Sequence, residues 1–305
     1  MENIIKKTLK LLVICFLFAS CSKDETIIKP KPEENYSPYS NKVYEYKPAP
    51  GQFINEPASG FENVTAEAAA IEYAEQRLKN SQYVSLGAFG GYIVVGFDHS
   101  IENKGSFNGY DFSVKGNQFD NSSEPAVVWV MQDVNKNSLP DDDVWYELKG
   151  SEYGKPETFS DYSVTYYKPQ NQRENVKWTD NKGNSGEIEI NTYHTQDYYY
   201  PLWITADSYT LTGVRLEQKS YVDSQGIYCT GNYDWGYADN YGNDMIANEG
   251  NKNFFKISNA VKADGSNANL QYIDFIKIQN ALNHNGQNST GESSTEVLSI
   301  EDENI

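Results

Sequence analysis

The run DVNKNSLPDDD, residues 133–143, sets oxygen-bearing side chains at every second position: Asp133, Asn135 and Asn137. That spacing lets a short loop wrap one hard cation, and calcium takes six to eight oxygens. The backbone carbonyl of Leu139 falls at the seventh loop position, and Asp141, Asp142 and Asp143 offer carboxylates to complete the shell. Compared with an EF-hand loop, Ser138 stands where the turn glycine belongs and Val144 where the bidentate glutamate belongs. The closing carboxylate therefore has to come from the aspartate triplet or from Glu147. The flanks, VVWVM and VWYEL, read as strands and not as helices. An Asx-rich turn without an ion is the alternative. Mutual repulsion among three consecutive aspartates favours structural calcium.

A second chemistry is carried by rings. DYYYPLW (197–203) holds Tyr198, Tyr199, Tyr200 and Trp203, and YDWGYADNYGND (233–244) holds Trp235, Tyr237 and Tyr241 among Asp234, Asn240 and Asn243. Aromatic faces give contact area at low entropic cost, and neighbouring amides fix hydrogen bonds, a combination suited to sugars or amide-fringed macrocycles. If the first segment is a strand, its neighbours alternate in direction, which exposes Tyr198 and one of Tyr199 and Tyr200. The ligand-binding candidates are Tyr198, Tyr199, Tyr200, Trp203, Trp235, Tyr237 and Asn240. All of them could equally be interior residues of a tyrosine-rich core.

Other chemistries find little support. His99, His194 and His284 lie far apart with no metal-binding spacing, and His99 reads as a structural residue at the end of the apolar block GYIVVGFDH. No nucleophile elbow, phosphate loop or dinucleotide fingerprint occurs. Carboxylate pairs that could hydrolyse glycosides are unavoidable among 43 acidic residues, so they identify no enzyme. A formal charge of −18 repels phosphate backbones and excludes nucleic acid as a partner.

The start of the chain gives an address. Lys6, Lys7 and Lys10 precede an apolar run from Leu11 to Ala19, too short to span a bilayer, and the stretch ends in LFASC. Residues 1–20 read as a signal peptide. Cys21 resembles the acylated cysteine of a bacterial lipobox, with Phe18 where an aliphatic residue is usual. Ser22-Lys23-Asp24-Glu25 resembles the export signal of surface-exposed lipoproteins of the Bacteroidota. The expected location is the outer membrane, facing outward, with the lipid as the only membrane contact. Residues 21–43, with Pro30, Pro32 and Pro38, read as a flexible tether. Cys15 leaves with the signal and Cys229 then has no partner, so no disulfide holds the fold.

The elements that must position these groups are strands. Short aromatic and β-branched blocks at 92–97, 126–131, 162–167, 187–193, 209–217 and 273–278 are separated by Gly- and Asn-rich punctuation. In EIEIN, Ile188 and Ile190 alternate with Glu187 and Glu189, as on a strand with one wet face. TAEAAAIEYAEQRLKN predicts one helix near 65–79, with Thr65 as N-cap, Ile71, Ala74 and Leu78 on one stripe, and Asn80 at its end. No fixed repeat is present. Residues 44–305 are thus expected to form one all-β domain, an antiparallel β-sandwich or jelly roll with a short helix.

The stretches YEYKPAPGQFINE, SLGAFGGYIVVGFDHSI, GYDFSVKGNQF, EPAVVWVMQDVNKNSLPDDDVWYELKGSEY and IDFIKIQNALN with GESSTEV resemble a family of Bacteroidota cell-surface lipoproteins. The similarity runs from Tyr44 to Val297. Members are often found beside TonB-dependent receptors and companion surface lipoproteins in cobalamin (vitamin B12) uptake loci. The resemblance implies a binder of cobalamin that assists its capture by an outer-membrane transporter, and not an enzyme. A glycan-binding lipoprotein of a polysaccharide-uptake system and a structural adhesin stay open as alternatives.

Overall fold

Six antiparallel strands form the central sheet, in the order Lys42–Lys47, Tyr92–Glu102, Tyr272–Asn280, Ala126–Met131, Tyr146–Leu148 and Ala260–Val261. They belong to a computed structural model that describes residues 35–246, 248–284 and 290–305. The signal peptide, Cys21 and most of the expected tether lie outside the described residues. Ala126, Val128 and Val130 turn to one side of the sheet with Ile93, Val95, Ile276 and Ile278. Val127 and Trp129 turn to the other, against Val214, Leu216, Tyr233 and Tyr237. With both faces covered, such strands read as unbroken apolar blocks and not as alternations.

A three-stranded sheet of Lys252–Phe255, Phe112–Lys115 and Ser299–Asp302 supplies Phe112, Val114, Phe255 and Ile300 to the first core. A four-stranded sheet of Ser208–Arg215, Phe159–Tyr167, Val176–Asp180 and Ser185–Ile188 builds a second core from Tyr162, Val164, Tyr166, Val176, Ile188 and Leu211. The chain is an all-β sandwich with antiparallel sheets.

The helix spans Glu67–Lys79 and buries Ala70, Ala74 and Leu78 at a four-residue spacing. Its N-cap is Ala66 with no side-chain cap bond, not Thr65. Glu67 in the first turn and Arg77 and Lys79 in the last complement the helix dipole instead. Glu75 Oε2 accepts the Val43 N–H at 3.1 Å, which ties the helix to the first strand. The fold also begins earlier than residue 44. Tyr36 stacks on His99 with ring centroids 4.6 Å apart, and the Ser40 N–H donates to the Ile300 carbonyl at 2.9 Å. His99 itself is structural, its ring nitrogens meeting Asp98 Oδ1 at 2.7 Å and Asp302 Oδ2 at 2.8 Å. The strand expected over 187–193 stops at Ile188. Asn191 Oδ1 accepts the N–H groups of Tyr193 and His194, both at 2.9 Å, and this local turn ends the extension.

Candidate functional site

The Asp133 loop joins two strands, as its flanks predict, and is a tight nest of side chains closed on its own backbone. Asp133 Oδ1 and Oδ2 accept the N–H groups of Asn137 (3.1 Å) and Ser138 (2.8 Å). Ser138 adopts φ 61°, the left-handed conformation that a glycine would take at this place. Asp142 receives the N–H groups of Val134 (2.9 Å) and Asn135 (3.3 Å). Asn135 Oδ1 accepts the Asn137 N–H at 3.0 Å, and Asn137 Oδ1 the Leu139 N–H at 2.8 Å. The side-chain amides of Asn135 and Asn137 both donate to Asp141, which holds its carboxyl below the usual range. Asp133, Asp141 and Asp142 are thus each satisfied by neutral donors. Asp143 is exposed with φ 61°. Glu147 does not turn to the loop: it pairs with Trp129 and Val261 across the sheet and lines a separate cavity.

The two aromatic segments do not form one platform. No strand lies between Ile188 and Ser208, so alternation does not apply to DYYYPLW. Tyr199 (0% exposed) and Tyr200 (2%) are both interior, contrary to the expectation that one of them faces solvent. Their hydroxyls donate to the carbonyls of His194 (2.7 Å) and Ala206 (3.0 Å). Tyr198 and Trp203 are half-buried, and Trp203 packs beside Phe61 with centroids 5.5 Å apart. Tyr237 is buried with its hydroxyl accepting the Glu152 N–H at 3.0 Å, and Asn240 is buried bonding the backbone of Tyr233. Both are structural. Trp235 is partly exposed and lines a small cavity of about 240 Å³ with Tyr110 and Phe254. None of the four cavities described here takes rings from both segments.

A cleft of about 490 Å³ presents the densest convergent chemistry. Gln52 and Phe53 come from the turn after the first strand, Asn117 and Phe119 from the segment after Phe112–Lys115, and Glu124 from just before the central strand Ala126–Met131. Tyr228 stands on a short hairpin strand, and Glu292, Ser293 and Glu296 belong to the last return of the chain. Two glycines let backbone approach the acids. A Cβ on Gly51 would lie 2.3 Å from Glu292 Oε1, and one on Gly116 2.4 Å from Asp239 Oδ1.

Asp239 is fully buried behind the lining residues Asn117, Glu124 and Glu296, which it bonds, and takes the left-handed conformation with φ 53°. Its Oδ1 accepts the Asn117 N–H and its Oδ2 the Glu296 N–H, both at 2.9 Å. The Glu124 N–H in turn donates to the Asp239 carbonyl at 2.9 Å, and Glu124 Oε1 accepts the Ser294 N–H at 2.8 Å. Ligand oxygens of Glu124, Asp239 and Glu296 all lie within 4.8 Å of one another, the one acid- or histidine-rich triad of this kind among the described residues. Burial pushes the carboxyls of Glu124 and Glu296 well above their usual range, with mutual repulsion adding to it. Burial likewise raises Asp239 to about 7 and the nearby Glu292 to about 8. His284 contacts the Tyr228 hydroxyl, and burial lowers its pKa.

Sequence reasoning passed over these acids because nothing local marks them among the 43. Gln52 and Phe53, Asn117 with Phe119 and Glu124, and Glu292 with Glu296 come from three well-separated parts of the chain, and the fold gathers them into one cleft. No helix among the described residues is long and apolar enough to cross a membrane. No protein-family model matches this chain, and no functionally curated protein matches it in sequence.

Proposed function

We propose that this chain is a lipid-anchored surface protein that binds cobalamin in the Glu124 cleft and passes it to a TonB-dependent outer-membrane receptor. The observation that carries the reading is the convergence on one open cavity of Gln52 and Phe53, of Asn117, Phe119 and Glu124, and of Glu292 and Glu296, all from stretches that carry the resemblance. Its chemistry suits the ligand. The rim of a corrin ring is fringed by carboxamides that both donate and accept, and the cleft answers with the amides of Gln52, Asn117 and Asn121 and with carboxyl groups. Phe119 and Ile227, 63% and 55% exposed, both line the cleft and offer the apolar contact that a macrocycle needs. A cleft of about 490 Å³ takes an edge of so large a ligand, with the remainder lying over these rim residues.

Calcium in the Asp133 loop belongs to the same reading as a structural support. To take the ion, Asn135 and Asn137 would turn their amide oxygens inward and release the carboxylate of Asp141.

A glycan-binding reading has its own observation. A smaller cavity of about 200 Å³ shares Phe53, Asn117 and Glu296 with the cleft and is lined by Tyr46, Phe61, Tyr73 and Tyr83, a size and ring content suited to one sugar residue. Calorimetry of the Cys21→Ala chain against cyanocobalamin and a glycan panel separates the two. Saturable heat with cyanocobalamin and none with glycans supports the proposal. Glycan binding alone replaces it with the second reading, and glycan turnover replaces both with a hydrolase.

A further inference from the structure

The triad at the cleft floor poses a charge problem that the protein alone does not solve. Each acid has some neutral donors: Ser294 N–H to Glu124 Oε1, Asn117 Nδ2 to Glu296 Oε2 at 3.2 Å, and two backbone N–H groups to Asp239. Among the described residues, no lysine, arginine or histidine is a hydrogen-bond or ion-pair partner of the three. Glu296 is 4% exposed, and its Oε1 is buried with no hydrogen-bond partner. The hydroxyl of Ser294 meets Ser85 Oγ at 2.5 Å. A buried carboxylate oxygen without a donor, set within 4.8 Å of two further carboxylates, needs a positive occupant.

We propose that Glu124, Asp239 and Glu296 hold a divalent cation of the calcium class at the floor of the cleft. The donor set is oxygen only and carries three carboxylates. Zinc favours nitrogen and sulfur, and magnesium demands near-ideal octahedral geometry and keeps most of its water. Calcium accepts irregular oxygen shells, and the open side of the cleft, where Glu124 is only half-buried, admits the water ligands that complete one. The site is independent of the Asp133 loop and of the identity of the organic ligand.

The competing occupant is a proton shared between Glu124 and Glu296, and the test separates the two. The purified chain is stripped with EDTA and titrated with calcium by calorimetry, with magnesium and zinc as controls, and melting temperatures are recorded in parallel. Three variants are compared: Glu124→Gln, Glu296→Gln and Asp133→Ala. Each glutamine keeps the shape and removes one of the clustered charges, so both stripped glutamine variants should melt at or above the stripped wild type, which shows that they fold. The wild type should show a calcium-binding event that survives Asp133→Ala and weakens at least tenfold in Glu124→Gln and Glu296→Gln. The proposal is overturned if millimolar calcium gives no binding. It is equally overturned if calcium binding is lost only in Asp133→Ala, or if zinc or magnesium binds the triad more tightly than calcium.

Discussion

Asp239 Oδ2 accepts the backbone N–H of Glu296 at 2.9 Å, so one acid of the cleft positions the chain segment that delivers another. The same carboxylate holds Asn117 through Oδ1, at 2.9 Å. Two segments far apart in sequence are therefore pinned to the side chain of one residue, whose backbone is held at φ 53°. Strain of this kind persists where surrounding bonds over-determine it, as here.

Gly116 is the weak point of that arrangement. A methyl group there would lie 2.4 Å from Asp239 Oδ1, which cannot swing away without releasing two N–H groups. Gly116→Ala should cost about 1 to 3 kcal/mol in denaturant unfolding. It should also weaken calcium binding by the stripped chain. Wild-type stability in this variant would show that the Asp239 network is loose.

Burial alone raises Glu147 to about 7, in a cavity that it shares with Trp129, Trp145, Tyr153 and Lys262. A carboxyl raised on folding contributes stability that is complete below its unfolded value and is lost as pH climbs through the folded one. Glu147→Gln should therefore leave stability unchanged near pH 4.5 and raise it by about 1 to 3 kcal/mol at pH 8. Equal effects of the substitution at both pH values would refute the shift.

Trp203 packs with Phe61 and Tyr46 against the main core, so its role is architectural. Trp203→Ala should cost about 2 to 4 kcal/mol of stability. Ligand affinity of the variant, measured where it is fully folded, should match the wild type. A folded Trp203→Ala chain with weakened binding would return the aromatic segment to the site.

Much of the scaffold is legible in the sequence. The strand Ala126–Met131 matches its apolar block end to end, because both faces are covered and every residue has to be apolar or aromatic. The helix was marked by the spacing of Ala74 and Leu78, although Ala70, more than Ile71, completes its buried stripe. The site was less legible for a physical reason. Alternation assigns direction only within a strand, and Tyr198 to Trp203 run through an irregular segment broken by Pro201. Glu124, Asp239 and Glu296 meet only through tertiary pairing, Ala126 bridging Ala238 and Glu296 pairing with Ser85, which no local pattern encodes.

The proposed location rests on Cys21. Cys21→Ala should move the protein from membrane to soluble fractions. Replacement of Lys23, Asp24 and Glu25 by alanine should leave it lipidated but protected from protease added to intact cells. Membrane association unchanged by Cys21→Ala would refute the anchor.

The central claim places the ligand in the Glu124 cleft and away from the tryptophan cavity. The most direct measurement is the affinity of cyanocobalamin, by calorimetry, for Phe119→Ala and Trp235→Ala beside the wild type. Phe119 is 63% exposed on the cleft rim, so its truncation should leave folding intact and weaken binding by about 1 to 3 kcal/mol. Trp235→Ala, at the separate cavity of about 240 Å³, should bind as the wild type does. Normal binding by Phe119→Ala with loss in Trp235→Ala would contradict the account.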